Sequence, residues 1–292
     1  MSGAATSLND YPRARELAVQ RIAFEDRLGL YERLDAHSTV AWMSYLMGDL
    51  ETADRDSAAM VARLMPGQAP YPALHLYAWR ALTLFTLGRW TEATALFYRC
   101  VEAWHDAGSL AAGYGLRGFV VGLDIGRARG DMRLAGAATD AMESILARFP
   151  PGHYNHVWAA YIQGEKAFTD DDPYLHGGMP PESAERRLSL ACDRREELSQ
   201  FVLDKSLAKS VATRVPLVEA QARRARALAH HDASEMSNAI EIWERVGAVP
   251  QLGRGKAERG LLNGDPAETE AGLAMLKKLG DTNYVDKFTM RV

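Results

Sequence analysis

The residues best suited to chemistry lie in one stretch of the sequence, between positions 153 and 176. His153 and His156 are three residues apart, a spacing that places both imidazoles on one face of a helix. Imidazole and carboxylate groups are zinc ligands, so the stretch is a candidate metal or small-molecule site. The sequence favours the alternative that the histidines begin a helix while the acidic residues solvate a loop, and we expect no bound metal or cofactor. The acidic residues and the third imidazole are Asp170, Asp171, Asp172 and His176.

Two glycine-rich segments resemble nucleotide-binding motifs without their context. A Gly-x-Gly-x-x-Gly sequence begins at Gly113, but a dinucleotide fingerprint must follow a strand, and the sequence predicts none there. A Gly-Lys pair at 255–256 is followed by Ala257, so the hydroxyl that a phosphate loop supplies to magnesium is missing. Close helix packing is the expected role of the glycines that follow Gly113.

The sequence offers no set of nucleophile, base and orienting group. Its serines are scattered, and its only two cysteines, Cys100 and Cys192, lie on apolar helical stripes where a small buried side chain is expected. We therefore predict structural thiols and a protein that is not an enzyme.

Composition narrows the function classes further. The chain has 292 residues, of which 47% are hydrophobic, and a formal net charge of −4 at pH 7. A protein that binds nucleic acid needs a basic face, so direct binding is not expected. The N-terminal residues lack the pattern of a secretory signal, and no stretch reaches the roughly 18 apolar residues of a membrane span. The sequence predicts a cytoplasmic protein without a membrane partner.

Apolar residues recur three and four positions apart along almost the whole chain, which predicts about thirteen helices and no sheet. Pairs of helical stretches are separated by a residue suited to the left-handed conformation and then a polar residue that can cap the next helix. We interpret each such pair as a helical hairpin. The turns are Gly48-Asp49, Gly88-Arg89, Gly130-Asp131, His231-Asp232 and Gly264-Asp265.

These hairpins predict a single helical-repeat domain over residues 1–292, with regular hairpins at 33–150 and 214–280. An irregular insertion at 169–181 interrupts them, and a helix is expected from Pro181 to about Leu203.

The N-terminal segment 13–28 has the pattern of a second helix whose first helix is missing, because Leu28-Gly29-Leu30 resembles Val246-Gly247-Ala248. A repeat array that begins in mid-repeat exposes an apolar end, so we expect association into a homodimer.

The turn signature resembles the tetratricopeptide repeat. Each of the first three turn glycines is followed two residues later by Leu50, Trp90 or Met132, and five residues later by alanine. The period is 40 and then 42 residues, longer than the usual value of about 34. The resemblance implies a right-handed superhelix of tetratricopeptide-like hairpins with a concave groove lined by first helices. The alanines are Ala53, Ala93 and Ala135.

By this analogy a set of aromatic and charged residues would face the groove. Aromatic and arginine side chains together suit a peptide or an acidic ligand. Core packing is the alternative for Trp42, Tyr45, Trp158 and Tyr161. The predicted groove residues are Trp42, Tyr45, His75, Arg80, Arg117, Asp124, Arg127, Trp158 and Tyr161.

Longer segments resemble the C-terminal helical-repeat regions of bacterial multidomain signalling ATPases, including those fused to nucleotide cyclases or to LuxR-type DNA-binding domains. The resemblance implies a regulatory region that binds a protein or peptide partner, or other domains of a longer parent chain. The segments are Leu34-Asp35-Ala36-His37, Gly88-Arg89-Trp90-Thr91-Glu92-Ala93, 111–131 and 276–284.

Overall fold

The computed structural model describes residues 5, 8–150, 153–163, 181–193, 200, 202–205 and 213–290. Within these residues fourteen α-helices have defined ends, accompanied by three short 3₁₀ helices and no strand. The helices pack as sequential antiparallel pairs, so the predicted all-α class is confirmed. No helix in the described part of the chain is long and apolar enough to cross a membrane.

The chain divides into two compact units, residues 1–148 and 149–292. The expected single domain over 1–292 stays a prediction beside this division. The described helices of the first unit are α1 (Tyr11–Ile22), α2 (Leu30–Leu46), α3 (Leu50–Val61), α4 (Pro70–Thr86), α5 (Trp90–Asp106), α6 (Leu116–Arg129) and α7 (Met132–Leu146).

The second unit begins with a short helix and continues with longer ones. Of the predicted insertion 169–181, only Pro181 is among the described residues, and it begins a helix as expected. That helix is described to Asp193 and residues 202–205 are also helical, while 194–199 lie outside the described residues. The helices are α8 (Val157–Gln163), α9 (Pro181–Asp193), α10 (Pro216–His230), α11 (Ala233–Val246), α12 (Val249–Asn263), α13 (Pro266–Leu279) and α14 (Thr282–Thr289).

The predicted hairpin turns are confirmed in both units. Each turn begins with a residue in the left-handed conformation, with φ between 54° at His231 and 78° at Gly48. Four of the five polar residues that follow are aspartates whose carboxylates accept backbone N–H bonds from the next helix. Arg89 is the exception and makes no side-chain cap. Left-handed residue and aspartate cap together explain why one helix ends and the next begins there.

In the first unit the first helices of successive hairpins form a row, in which α2 contacts α4 and α4 contacts α6. Small residues allow the two helices of a hairpin to approach closely. A Cβ placed on Gly126 of α6 would lie 2.6 Å from the backbone nitrogen of Ala135 on α7. The alanines five residues after each turn glycine, Ala53, Ala93 and Ala135, are buried, as their packing role requires.

In the second unit the hairpins pack in the same way, with α10 against α11 and α12 against α13. Close approach again depends on glycine. Within the hairpin of α12 and α13, a Cβ on Gly272 would collide with the backbone of Ala257. Between hairpins, a Cβ on Gly255 of α12 would lie 2.6 Å from the ring of Trp243 on α11. The hairpin packing of the two units is therefore of one kind.

The N-terminal prediction is wrong in two respects. The expected helix over 13–28 ends at Ile22 and is followed by a 3₁₀ turn, Glu25–Arg27. Gly29 has φ −63° and caps the start of α2, whereas Gly247 has φ 76° and ends α11. The buried residues of α1 all lie at or before Ala18, so no buried face continues the helix to residue 28.

Candidate functional site

The row of first helices in the first unit brings three predicted groove residues together. Trp42 on α2, His75 on α4 and Arg117 on α6 are partly buried and meet around Trp79, a fully buried residue of α4. Trp79 is not among the predicted groove residues, although it lies four positions after His75 and therefore on the same helix face. We call these four residues the aromatic cluster.

Stacking and cation–π contacts hold the aromatic cluster together. The indole rings of Trp42 and Trp79 are stacked, with centroids 5.5 Å apart and planes inclined by 16°. The Arg117 guanidinium lies 4.8 Å from the Trp79 centroid and 5.7 Å from that of Trp42. A guanidinium within about 6 Å of an indole face is attracted by the ring quadrupole. The guanidinium on α6 thus lies over two stacked rings, one on α2 and one on α4.

His75 is the titratable group of the aromatic cluster. The indole Nε1 of Trp79 donates a hydrogen bond of 3.0 Å to His75 Nε2. Burial, and then the positive charge of Arg117, lower the pKa of His75 from 6.5 to about 4, against a small opposing effect of Asp35. The imidazole is therefore neutral at pH 7 and, with Nε2 accepting, carries its proton on Nδ1.

Two tyrosines that the sequence analysis did not select extend the aromatic cluster outward. The ring of Tyr114 lies 4.8 Å from that of His75 and 5.1 Å from that of Tyr71. Tyr71 is 40% exposed. The surface beside His75 is consequently aromatic and partly open to solvent.

Tyr45 and Arg80, two other predicted groove residues, make contacts that stabilise the fold of the first unit. Tyr45 is 1% exposed and its hydroxyl lies 3.4 Å from that of Thr86. Arg80 pairs with Asp54 at 3.2 Å and donates to its backbone carbonyl, which ties α4 to α3. Arg89 shares the Asp54 carboxylate. These residues hold the hairpins of the first unit together.

Asp124 and Arg127 are partly buried residues of α6. They follow Arg117 by two and three helical turns, about 10 and 15 Å along the axis. Both take part in polar or electrostatic interactions. Their distance along α6 sets them apart from the stacked indoles.

Trp158 and Tyr161 belong to α8 in the second unit. They are 3% and 7% exposed, and their rings meet edge to face with centroids 5.7 Å apart. Core packing, the alternative stated for them, accounts for this burial.

The candidate metal ligands are described only in part. The His153 ring stacks on Phe149 at 4.3 Å, and His156 Nε2 lies 3.4 Å from the Phe149 carbonyl oxygen. Asp170, Asp172 and their neighbours to His176 lie outside the described residues. Among the residues that are described, no group of three or more His, Cys, Asp or Glu side chains is placed to hold a metal ion.

The second unit contains a buried ionic network that the sequence analysis missed. Arg224 of α10 is 0% exposed and forms a two-pronged contact with Glu258 of α12, at 2.7 and 2.6 Å. Arg224 also reaches Asp193 of α9 at 3.1 Å. The Tyr284 hydroxyl of α14 donates to Glu258 at 2.7 Å. Four helices are thus joined through one arginine and one glutamate.

A second arginine of the network repeats this pattern. Arg254 pairs with Asp281 at 3.0 Å and lies 4.9 Å from the ring centroid of Tyr284. Burial opposes the charge of Arg224, but Glu258 and Asp193 raise its pKa well above the ordinary value. The available sequence signal was a repeated Gln-x-x-Arg, with Gln221 and Arg224 on α10 and Gln251 and Arg254 on α12.

The glycines after Gly113 and the cysteines have packing roles, as predicted. A Cβ on Gly118 would lie 2.6 Å from the Cys100 sulfur. Cys100 and Cys192 are buried and form no disulfide with each other, and burial raises the pKa of Cys100 well above its usual range. A thiol in that state is a poor nucleophile.

Comparison with known proteins adds no relative to this geometry, because no protein-family model matches the chain and no curated protein is significantly similar to it.

Proposed function

We propose that the chain is a non-catalytic interaction module of a bacterial signalling or transcription-regulating system, and that the aromatic cluster of the first unit binds a peptide or a partner domain. The single observation that carries the proposal is the meeting of Trp42, His75, Trp79 and Arg117 on three successive first helices. The finer architecture, a right-handed tetratricopeptide-like superhelix with a concave groove, belongs to this proposal. So do the cytoplasmic location and the homodimer expected from the sequence.

The side-chain chemistry of the aromatic cluster suits protein recognition. Tryptophan, tyrosine and arginine dominate the energetics of protein interfaces, because they combine a large contact area with directed hydrogen bonds. Trp42 and Arg117 are partly buried, so both are held by the fold while part of each reaches the surface. Because Trp42 and Arg117 are already ordered, binding a partner over them would cost these side chains little further conformational entropy.

The polar groups favour a ligand that supplies acceptors. His75 offers a neutral Nδ1–H donor, because Trp79 occupies its other nitrogen. Arg117 adds a positive charge. A peptide that presents carbonyl or carboxylate oxygens to these donors is the expected ligand.

The proposal is tested by affinity capture from the native cell extract with the whole chain as bait, followed by titration of each captured protein. In the variant Arg117→Gln we expect the Kd to rise about 10- to 100-fold, the usual effect of removing a charged hydrogen-bonding group. Arg129→Gln is the matched control, because Arg129 also lies on α6 over a tryptophan, 5.6 Å from the ring centroid of Trp90.

Equal retention of every captured protein by both variants would overturn the assignment to the aromatic cluster. If no protein is captured and a small molecule or metal co-purifies, the interaction function itself is wrong. The stretch 153–176 would then become the leading site.

A further inference from the structure

A cleft on the first unit lies apart from the aromatic cluster, between the loop that precedes α4 and the C-terminal half of α5. Its volume is about 380 Å³, within the range of about 300–1,000 Å³ typical of small-molecule sites. Its lining includes Gly67 of the loop, Tyr77 of α4, and Arg99, Glu102 and Asp106 of α5.

Charges of both signs line the cleft on one face of α5. Arg99, Glu102 and Asp106 follow one another at intervals of three and four residues, which aligns them along the helix. Within the described part of the chain none of the three forms an ion pair. Arg80 and Arg89 of the same unit, by contrast, share the carboxylate of Asp54. A helix in isolation would allow Arg99 and Glu102 to pair, so their separation leaves both available to a ligand.

The floor of the cleft is aromatic. Tyr77 is 7% exposed, and the Arg99 guanidinium lies 5.8 Å from its ring centroid. Burial raises the pKa of Tyr77, with a smaller opposing effect of Arg99. The Tyr77 ring holds the guanidinium at one side of the cleft, and burial keeps the Tyr77 hydroxyl protonated as a hydrogen-bond donor.

The opposite side of the cleft attracts a cation. Asp106 is the last residue of α5, at the negative end of the helix dipole. Gly67 has φ 71°, and a Cβ placed there would lie 3.9 Å from Asp106 Oδ2. The Gly67 backbone therefore lies beside the Asp106 carboxylate, which stays exposed to the cleft.

We propose that this cleft binds a free α-amino acid, with the ligand carboxylate at Arg99 and the ligand ammonium at Glu102 and Asp106. The two ends of a zwitterion match the two signs of charge, which a simple anion or cation does not. The site is distinct from the aromatic cluster and would add small-molecule sensing to the interaction function. Neither proposal requires the other.

The test is a thermal-shift screen of the standard α-amino acids at millimolar concentration, followed by calorimetric titration of those that raise Tm. We expect at least one amino acid to bind. Its Nα-acetyl form and its carboxamide form should bind at least about tenfold more weakly, because each lacks one charge.

Matched variants locate the site. Arg99→Gln and Asp106→Asn should each raise the Kd about 10- to 100-fold. Arg55→Gln on α3 and Asp140→Asn on α7 change exposed charges outside the cleft and should leave the Kd unchanged. The proposal is overturned if no amino acid binds, if an acetylated form binds as well as the parent, or if the cleft and control variants are equivalent.

Discussion

The two units build their hairpins alike and fill the space between first helices differently. In the first unit that space holds stacked indoles with an arginine over them, and Trp42 and Arg117 stay partly exposed. In the second unit it holds Arg224 and Glu258, whose side chains are 0% and 5% exposed. The turn and the hairpin packing are thus common to both units, while the side chains between first helices differ. We refer to the aromatic cluster as the aromatic row of the first unit, and to the buried ionic network around Arg224 and Glu258 as the ionic row of the second.

Differences in solvation explain why the aromatic row can stay partly exposed to solvent while the ionic row cannot. Aromatic rings tolerate a half-buried position, since an exposed edge costs only part of their burial energy. A buried arginine is stable only when carboxylates pair with its donors on every side, as Glu258 and Asp193 do for Arg224. The ionic row must therefore be closed, which makes it a structural element, while the aromatic row can accept a partner.

The largest change in stability is expected when the buried arginine is removed from the ionic row. Arg224→Met would leave the Glu258 carboxylate buried without its cation, which should cost about 3–5 kcal/mol of unfolding free energy. Urea unfolding measures the loss, and hydrogen exchange of peptides from α9, α10, α12 and α14 shows where it falls.

The neighbouring residue provides the control for this variant. Arg223 is 28% exposed and pairs with Glu219 and Glu235 at the surface. Arg223→Met should cost no more than about 1 kcal/mol. A similar loss in both variants would contradict the distinction between closed and open charge pairs.

The next largest effect is a pH dependence of folding stability that comes from His75 in the aromatic row. The folded-state pKa of His75, about 4, lies below the ordinary 6.5. Between these values the unfolded chain binds a proton that the folded chain excludes, so the stability contribution is complete above pH 6.5 and falls as the pH drops toward 4. The loss at pH 4 should reach about 3 kcal/mol.

His75→Gln isolates this contribution, because glutamine keeps an acceptor for the Trp79 indole but does not titrate. Urea unfolding at pH 7 and pH 4 should show a smaller loss in the variant than in the wild type. Equal losses would mean that His75 titrates normally and that the aromatic row is open to water.

The sequence predicted the hairpins well because their determinants are local. A left-handed turn residue and an aspartate cap act within a few positions, so Gly48-Asp49 and His231-Asp232 could be recognised without tertiary information. Gly29 shows the limit of this approach. It looks like a helix-ending glycine, but the end of α1 depends on where the buried face stops.

The candidate site could be predicted only in part because side-chain partners are not local. Trp42, His75 and Arg117 were selected from an analogy, and their meeting depends on how three helices align. Arg224 and Glu258 are charged residues that composition alone assigns to the surface. Only their mutual contact makes burial affordable, and a single sequence does not reveal that contact.

A smaller effect tests whether hairpin packing is common to both units. Gly126→Ala in the first and Gly272→Ala in the second place a methyl group against backbone atoms, and each should cost about 1–3 kcal/mol. Gly136→Ala is the control, since no atom lies within 4 Å of its Cβ position. In mid-helix α7 it should stabilise by about 0.5–1 kcal/mol. Unequal costs at Gly126 and Gly272 would show that the hairpins differ as well.

The smallest change in stability is expected at Arg117, the counterpart of Arg224 in the aromatic row. Because Arg117 is partly exposed and lies over the face of Trp79, Arg117→Gln should cost about 0.5–1 kcal/mol, the usual size of such a cation–π contact. The same variant should raise the pKa of His75, since Arg117 is one of the groups that lower it. Urea unfolding and NMR titration of the imidazole measure the two effects. A cost as large as that of Arg224→Met would mean that the aromatic row is closed too, and that its surface is core rather than a binding site.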